Sequence, residues 1–404
     1  MRLTLLSLLF ATSCNVNSIN TNPHGVDVDA GDHCPRVLLV ADGDYSSTNI
    51  SVVGFDGSVL SSSLISSASS SVGISAPLSG DVVLPHDAPP SMVVLIDRYP
   101  NSVVTWVDLA SGKVAGQLSV ATGFPSNPHD YLQVSPTKAY VTRYETNSNP
   151  GRQMLDQGGD VIVVDSQAHS VTSRIDLSDQ VTGPFLPRAD RMTRIGTDAV
   201  VLLGRLDAGF ASGADGRIVG INVATDAIDW ALDLPGFANC GALARSPSLL
   251  RLAVGCSGVF AEGTTGQFAR SGIVLLDIGQ LPPRVIGSWH IANDLKGALA
   301  PTLAFFSETQ VLGTTYGDLG LGHVDSVFTF DTNSGQTAIL DSAASAFSFG
   351  EVWCYPTCTS TCFLADAGRK RLRTWSIEAS GLRPALVIFP DVVPGLPPRG
   401  LGSL

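Results

Sequence analysis

Apolar and polar positions along the chain repeat with a long period. Six-residue blocks ending in an acid or amide recur as SVVGFD (51–56), VVTWVD (103–108), DVIVVD (160–165), RIVGIN (217–222), GIVLLD (272–277), SVFTFD (326–331) and RTWSIE (373–378), with their last residues 47 to 57 positions apart. A turn-like segment such as LASGK, TNSGQ or EASGL follows each block, and a second apolar strand follows the turn, as in SVTSRIDL and AIDWALDL. This is the pattern of a β-hairpin, seven times over. Upstream of most hairpins stands another pair of short strands, most clearly Asp130-YLQV, the turn Ser135-Pro136-Thr137-Lys138, and Ala139-YVTRY. Four strands per repeat of about 50 residues describes a propeller blade. A lone blade cannot bury both faces of its sheet, so seven must stack around an axis as one domain. The fold expected for residues 34–404 is therefore all-β, a seven-bladed β-propeller with four antiparallel strands per blade.

Blade one lacks an innermost strand upstream, because CPRVLLVAD leads directly into its second strand. The C-terminal PPRGLGSL (397–404) is expected to supply it, closing the ring and removing an open edge. The blade pattern also selects one of the fifteen pairings open to six cysteines. Cys240 and Cys256 are symmetric about a turn centred on Ser248, and Cys354 and Cys362 are symmetric about Cys358. Cys358 then sits at the turn tip of blade seven, and Cys34 lies at the matching place in neighbouring blade one, so Cys34–Cys358 is expected to staple the ring. Closing a loop of that length is worth roughly 5 kcal/mol at most. The even spacing of Cys354, Cys358 and Cys362 is wrong for a zinc knuckle.

Composition adds a location. Asp, Gly, Ser and Pro are abundant, while Glu occurs only at Glu145, Glu262, Glu308, Glu351 and Glu378, a usage that favours turns over helices. The formal charge of −12 argues against nucleic acid, which needs a basic face. At the N-terminus, Arg2 precedes the short apolar run Leu3–Ala11, too few residues to span a bilayer, so residues 1–13 read as a signal peptide. Ala11-Thr12-Ser13-Cys14 resembles a bacterial lipobox, although that pattern prefers Leu where Ala11 stands. The resemblance implies a lipid on Cys14, which also leaves an even six cysteines to pair. Ordinary cleavage after Ser13 is the competing reading. Residues 14–33 read as the lipidated cysteine and a polar tether spanning roughly 25 Å. Asp27, Asp29 and Asp32 do not complete a calcium loop. The expected location is a bacterial cell envelope, at the outer membrane or cell surface, with membrane contact through the lipid alone.

The segment from Gly123 to Asp165, with PHD, VSPTKAYVTRY and GGDVIVVD, resembles the YVTN-type propeller repeat of bacterial surface proteins and of some lactonases. Tyr140-Val141-Thr142 matches that repeat and Arg143 departs from it. The resemblance is good in this blade and loose over the rest of 34–404. It implies the fold, and it says little about activity.

Candidate chemistry is sparse. The repeated Asp56, Asp108, Asp165, Asp277 and Asp331, with Asn222 and Glu378, end strands and start turns, where Asp bonds its own backbone. His86, Asp87, His129, Asp130, Arg188 and Asp190, with Asn239, fall near the starts of innermost strands and are expected around one channel mouth, where they would bind a ligand or merely solvate the channel. Loops 145–159, 207–216, 257–271 and 316–325 would fall on the same face, bringing Phe210, Phe260, Phe268 and Tyr316 as contact aromatics. No GxSxG, HExxH, Walker loop or paired-carboxylate spacing occurs, and ATDAIDW (224–230) is too isolated for a quinone-binding repeat. No metal and no cofactor is expected. The leading reading is a monomeric, non-catalytic lipoprotein that binds a protein or glycan through its loop-rich face. The alternative is a lactonase-like or other hydrolase using the His and Asp residues at the channel mouth.

Overall fold

The computed structural model describes residues 34, 37–70, 73–87, 89, 92–318, 322–385 and 395–404. The expected signal peptide (1–13), Cys14 and the expected tether (to residue 33) lie outside the described residues. Among those described, seven four-stranded antiparallel sheets follow one another in sequence, each running from an innermost to an outermost strand. This is the expected β-propeller. The innermost strands are Val82–Val83, Pro128–Gln133, Ala189–Ile195, Cys240–Arg245, Ala298–Phe305 and Phe349–Tyr355 for blades two to seven. Blade one takes its innermost strand from Pro398–Ser403, which pairs antiparallel with Leu38–Gly43, so both chain ends share one sheet.

Alternation with period two buries both faces of each blade. In Leu38–Gly43, Leu38 and Val40 pack with Phe363 and Ala365 of blade seven, whereas Leu39 and Ala41 pack with Leu84 and Val93 of blade two. The core is accordingly a set of apolar clusters, one at each contact between neighbouring blades. At the ends of the third strands, Asp56 accepts from the Ser58 amide, Asp108 from Ser111, Asp165 from Gln167 and Ala168, Asp277 from Gly279 and Asp331 from Asn333 and Ser334. Asn222 does the same with Ala224. These acids build turns.

The three disulfides are Cys34–Cys358, Cys240–Cys256 and Cys354–Cys362. The latter two join directly opposed residues of paired strands. Cys34–Cys358 spans 324 positions of sequence and joins blade one to blade seven.

Antiparallel order gives the ring two different faces. One carries the turns between first and second strands, including Ser246–Leu250 and Pro356–Ser360; it is called here the turn face. The opposite, loop face carries the longer connections between second and third strands and the chain's passage from blade to blade. Cys34 is fastened to the turn face by its bond to Cys358.

Candidate functional site

The innermost strands are irregular where they line the axis. Register shifts fall between Pro128 and Tyr131, Ala189 and Met192, Cys240 and Ala242, Leu299 and Leu303, and Phe349 and Val352. Such bulges free residues from the ladder and re-aim their side chains. The residues freed include His129, Asp130, Asp190, Arg191, Thr302 and Glu351, which hold most of the polar chemistry of the channel.

Across the middle of the channel these groups form a plug. Arg191 Nη2 donates to Glu351 Oε1 at 2.6 Å and Nη1 to the Leu84 carbonyl at 3.1 Å, which links blades four, seven and two. Glu351 Oε2 accepts from the Leu401 amide (2.8 Å), and Thr302 Oγ1 from that of Val352 (2.9 Å). The Asp130 carboxylate is fully buried and accepts from the amides of His86, Tyr131 and Met192, so it joins blade three to both neighbours. Burial pushes its pKa up to about 7, against the opposing pull of Arg191 and those amides.

Toward the loop face, His129 Nδ1 donates to Asp190 Oδ1 at 2.9 Å and the imidazole stacks on Tyr144 with centroids 4.1 Å apart. Arg188 is fully buried beside them, its guanidinium 4.2 Å from the Phe210 ring and 5.1 Å from Tyr144. Glu145 forms an ion pair with it and the Asp207 carbonyl accepts from Nη2. Asn127, Arg188 and Asn239 each precede an innermost strand with φ of 48°, 53° and 52°. This left-handed backbone is uncommon for residues other than glycine and is held by the surrounding blade.

Toward the turn face lies a cavity of about 540 Å³, lined by His86, Asp87, Arg191, Arg245, Glu351 and Trp353 among others, with Cys34 and Cys358 at its rim. His86 Nε2 stands 4.0 Å from Asp87 Oδ1, and its ring centroid is 6.0 Å from that of Trp353. Burial drives the His86 pKa down to about 4, so the imidazole is neutral at neutral pH. Burial alone would raise Asp87; Arg245, His86 and hydrogen bonds from Thr193 and the Arg194 amide outweigh it and hold the carboxyl below its ordinary value.

The expectation of a single channel mouth is thus corrected. The innermost strand of blade two shrinks to Val82–Val83, because Pro85 has no N–H to continue the ladder. His86 and Asp87 consequently sit past that strand, in the turn-face cavity. His129 and Asp190 stand on the loop-face side, Asp130 is buried in the plug, and Arg188 is occupied by Glu145 and two aromatic rings. Arg191, Arg245, Glu351 and Trp353, which complete the cavity, carry no sequence signal beyond their place on innermost strands.

The loop face differs in another way. Tyr45, Tyr99 and Met154, from the second-to-third-strand connections of blades one, two and three, are 68%, 63% and 86% exposed. Phe210 and Phe260, from the same connections in blades four and five, are about half exposed, as is Phe347 between blades six and seven. Of the expected contact aromatics, Phe268 is buried against Ala292 and Ala298, and Tyr316 is half-buried. Connection 257–271 also holds the short helix Gly263–Ala269, which packs Phe268 inward. Tyr45, Tyr99, Met154 and Phe347 are missed by the sequence reading, although a large apolar residue in a Gly-, Asp- or Asn-rich loop, as in ADGDYSS, is a usable signal.

No family model matches the chain, and no curated protein matches it by sequence. Solved structures match over most of its length. A candidate 6-phosphogluconolactonase from Bacteroides fragilis is similar with a TM-score of 0.57 at 10% identity, covering 95% of this chain and 100% of that one. A second, from Bacteroides uniformis, gives 0.56 at 12% identity, covering 91% and 100%. A hypothetical selenium-binding protein from Sulfolobus tokodaii gives 0.57 at 11%, covering 91% and 93%. The likeness is one of fold. At such identities it carries the propeller architecture and no activity. Among the described residues, no group of three or more His, Cys, Asp or Glu side chains is placed to hold a metal, and no helix is long and apolar enough to cross a membrane.

Proposed function

We propose that this propeller is a binding protein held at a bacterial envelope through a lipid on Cys14, and that it takes a macromolecular partner, protein or glycan, on its loop face. One observation carries the reading: successive blades one to five each present one large apolar side chain to solvent there, namely Tyr45, Tyr99, Met154, Phe210 and Phe260. Exposed large apolar groups gathered on one face of a rigid scaffold mark an interaction surface. Their enrichment in tyrosine and phenylalanine fits the anchor residues of interfaces. Location supports it as well. Three disulfides suit an oxidising compartment, and a tether leaving Cys34 on the turn face would aim the loop face away from the membrane.

The test is capture from envelope extract by the full mature chain and by a Tyr45→Ser/Tyr99→Ser/Phe260→Ser variant of unchanged thermal midpoint. A partner retained by the first and lost by the second is expected. Equal retention would remove the reading.

A second reading, hydrolysis in the turn-face cavity, is favoured by the geometry of His86 4.0 Å from the Asp87 carboxylate in an accessible cavity, with the depressed pKa of His86 making it a weak base there. It predicts turnover of a lactone by the unaltered chain and its loss in His86→Ala and Asp87→Asn. No turnover across a panel of lactones would dismiss it.

A further inference from the structure

The loop face holds arginine on its exposed aromatic rings twice by its own means. The Arg188 guanidinium lies 4.2 Å from the centroid of Phe210, and that of Arg399 lies 4.4 Å from Tyr45, whose hydroxyl accepts from Arg399 Nη1 at 3.2 Å. Arg188 has an acid beside it as well, Glu145. Between blades five, six and seven a third aromatic group has the same ingredients arranged around an open space. Phe260 and Tyr316 have ring centroids 5.8 Å apart, and Tyr316 and Phe347 5.6 Å apart. They surround a pocket of about 240 Å³ that is also lined by Asp318, whose carboxylate accepts from Thr264 Oγ1 at 3.3 Å. Among the described residues, no guanidinium stands over Phe260, Tyr316 or Phe347.

The correspondence extends to the backbone. Tyr144 lies opposite Asn127 and Tyr316 opposite Ala298, each at the loop-face end of the second strand of its blade. In the following blade, Arg188 and Phe347 stand just before the innermost strand, both in left-handed backbone with φ of 53° and 58°. Where blade four brings its own cation to Tyr144, blade seven brings another ring to Tyr316. Three rings and a carboxylate around a partly closed space are the chemistry that takes up a cation. The net charge of −12 favours the approach of a basic partner.

We infer that this pocket binds an arginine side chain presented by a protein partner. The inference rests on the binding role of the loop face and specifies the chemistry of its partner. A guanidinium entering the pocket lies against Phe260 and Phe347, with Tyr316 beneath it and Asp318 at the wall. Arginine suits the site better than lysine because its planar, weakly hydrated head stacks on rings, as both internal examples do. Lys296, exposed at the pocket edge, opposes any cation there, so it limits the affinity.

The experiment is titration of the full mature chain with Nα-acetyl-arginine amide and with the uncharged citrulline counterpart, followed by NMR. The expected result is saturable binding of the arginine probe in the millimolar range. It should weaken about ten-fold for citrulline and about ten-fold in Phe260→Ala or Phe347→Ala, and tighten in Lys296→Ala. Because Phe260 and Phe347 are both half exposed, an unchanged thermal midpoint is expected in those variants. Equal binding of citrulline, or no effect of either phenylalanine substitution, would overturn the assignment. If Tyr45→Ser/Tyr99→Ser abolishes capture of an envelope partner while no arginine probe binds, the loop face stands as an interface and the arginine pocket falls.

Discussion

At the scale of single residues, the channel plug makes the sharpest demands. Arg191 and Glu351 are an ion pair held largely out of solvent; removing Arg191 leaves Glu351 without its cation, and removing Glu351 leaves Arg191 with only the more distant Asp130. Arg191→Met or Glu351→Gln should each cost about 3 kcal/mol in urea unfolding, and the double substitution should recover part of that loss. His86 and Asp130 impose opposite pH dependences. The folded pKa of His86 lies near 4, below its unfolded value, so the unfolded chain binds a proton that the folded chain refuses. This group therefore lowers stability as pH falls from about 6.5 to 4. Asp130 has a folded pKa near 7, above its unfolded value, so it lowers stability as pH rises from about 4 to 7. Chemical denaturation across pH 4–7 should accordingly show His86→Gln gaining stability relative to the unaltered chain toward the acid end.

The scale of the element shows what was legible in the sequence. Strand blocks, the third-strand acids and all three disulfides followed from spacing, because period-two alternation and turn chemistry are local and survive any packing. Misplacement of His86 and Asp87 has a local cause too: the spacing puts them at the start of an innermost strand, whereas Pro85 ends the ladder after only Val82–Val83 and leaves them beyond it. Asp130 and Arg191 were not legible as plug residues, since both depend on bulges that sequence patterning does not register. The C-terminal strand offers a test of closure. Cys34→Ser/Cys358→Ser should lower stability by up to about 5 kcal/mol, because that bond closes the longest loop of the three. Cys240→Ala/Cys256→Ala should cost less by the same loop model, its span being 16 positions. Removing 398–404 should expose Leu38–Gly43 as an open edge and promote self-association, visible by light scattering.

At the scale of the whole molecule, the two faces separate two chemistries. The turn face joins Cys34 to a charge-paired cavity, and the loop face displays rings and a methionine on a rigid circle of blades. The plug of Arg191, Glu351 and Asp130 keeps them apart. That division is why the binding reading and the hydrolytic reading make independent predictions: a Tyr45 or Tyr99 substitution should leave any lactone turnover untouched, and His86→Ala should leave partner capture untouched.

Oxidative footprinting of the full mature chain, with and without bound envelope partner, examines the loop face most directly. Protection of Met154, Tyr45 and Tyr99 on binding, with Trp353 in the turn-face cavity unchanged, is the predicted result. Protection confined to Trp353 and its surroundings, with Met154 oxidised at its free rate, would contradict it.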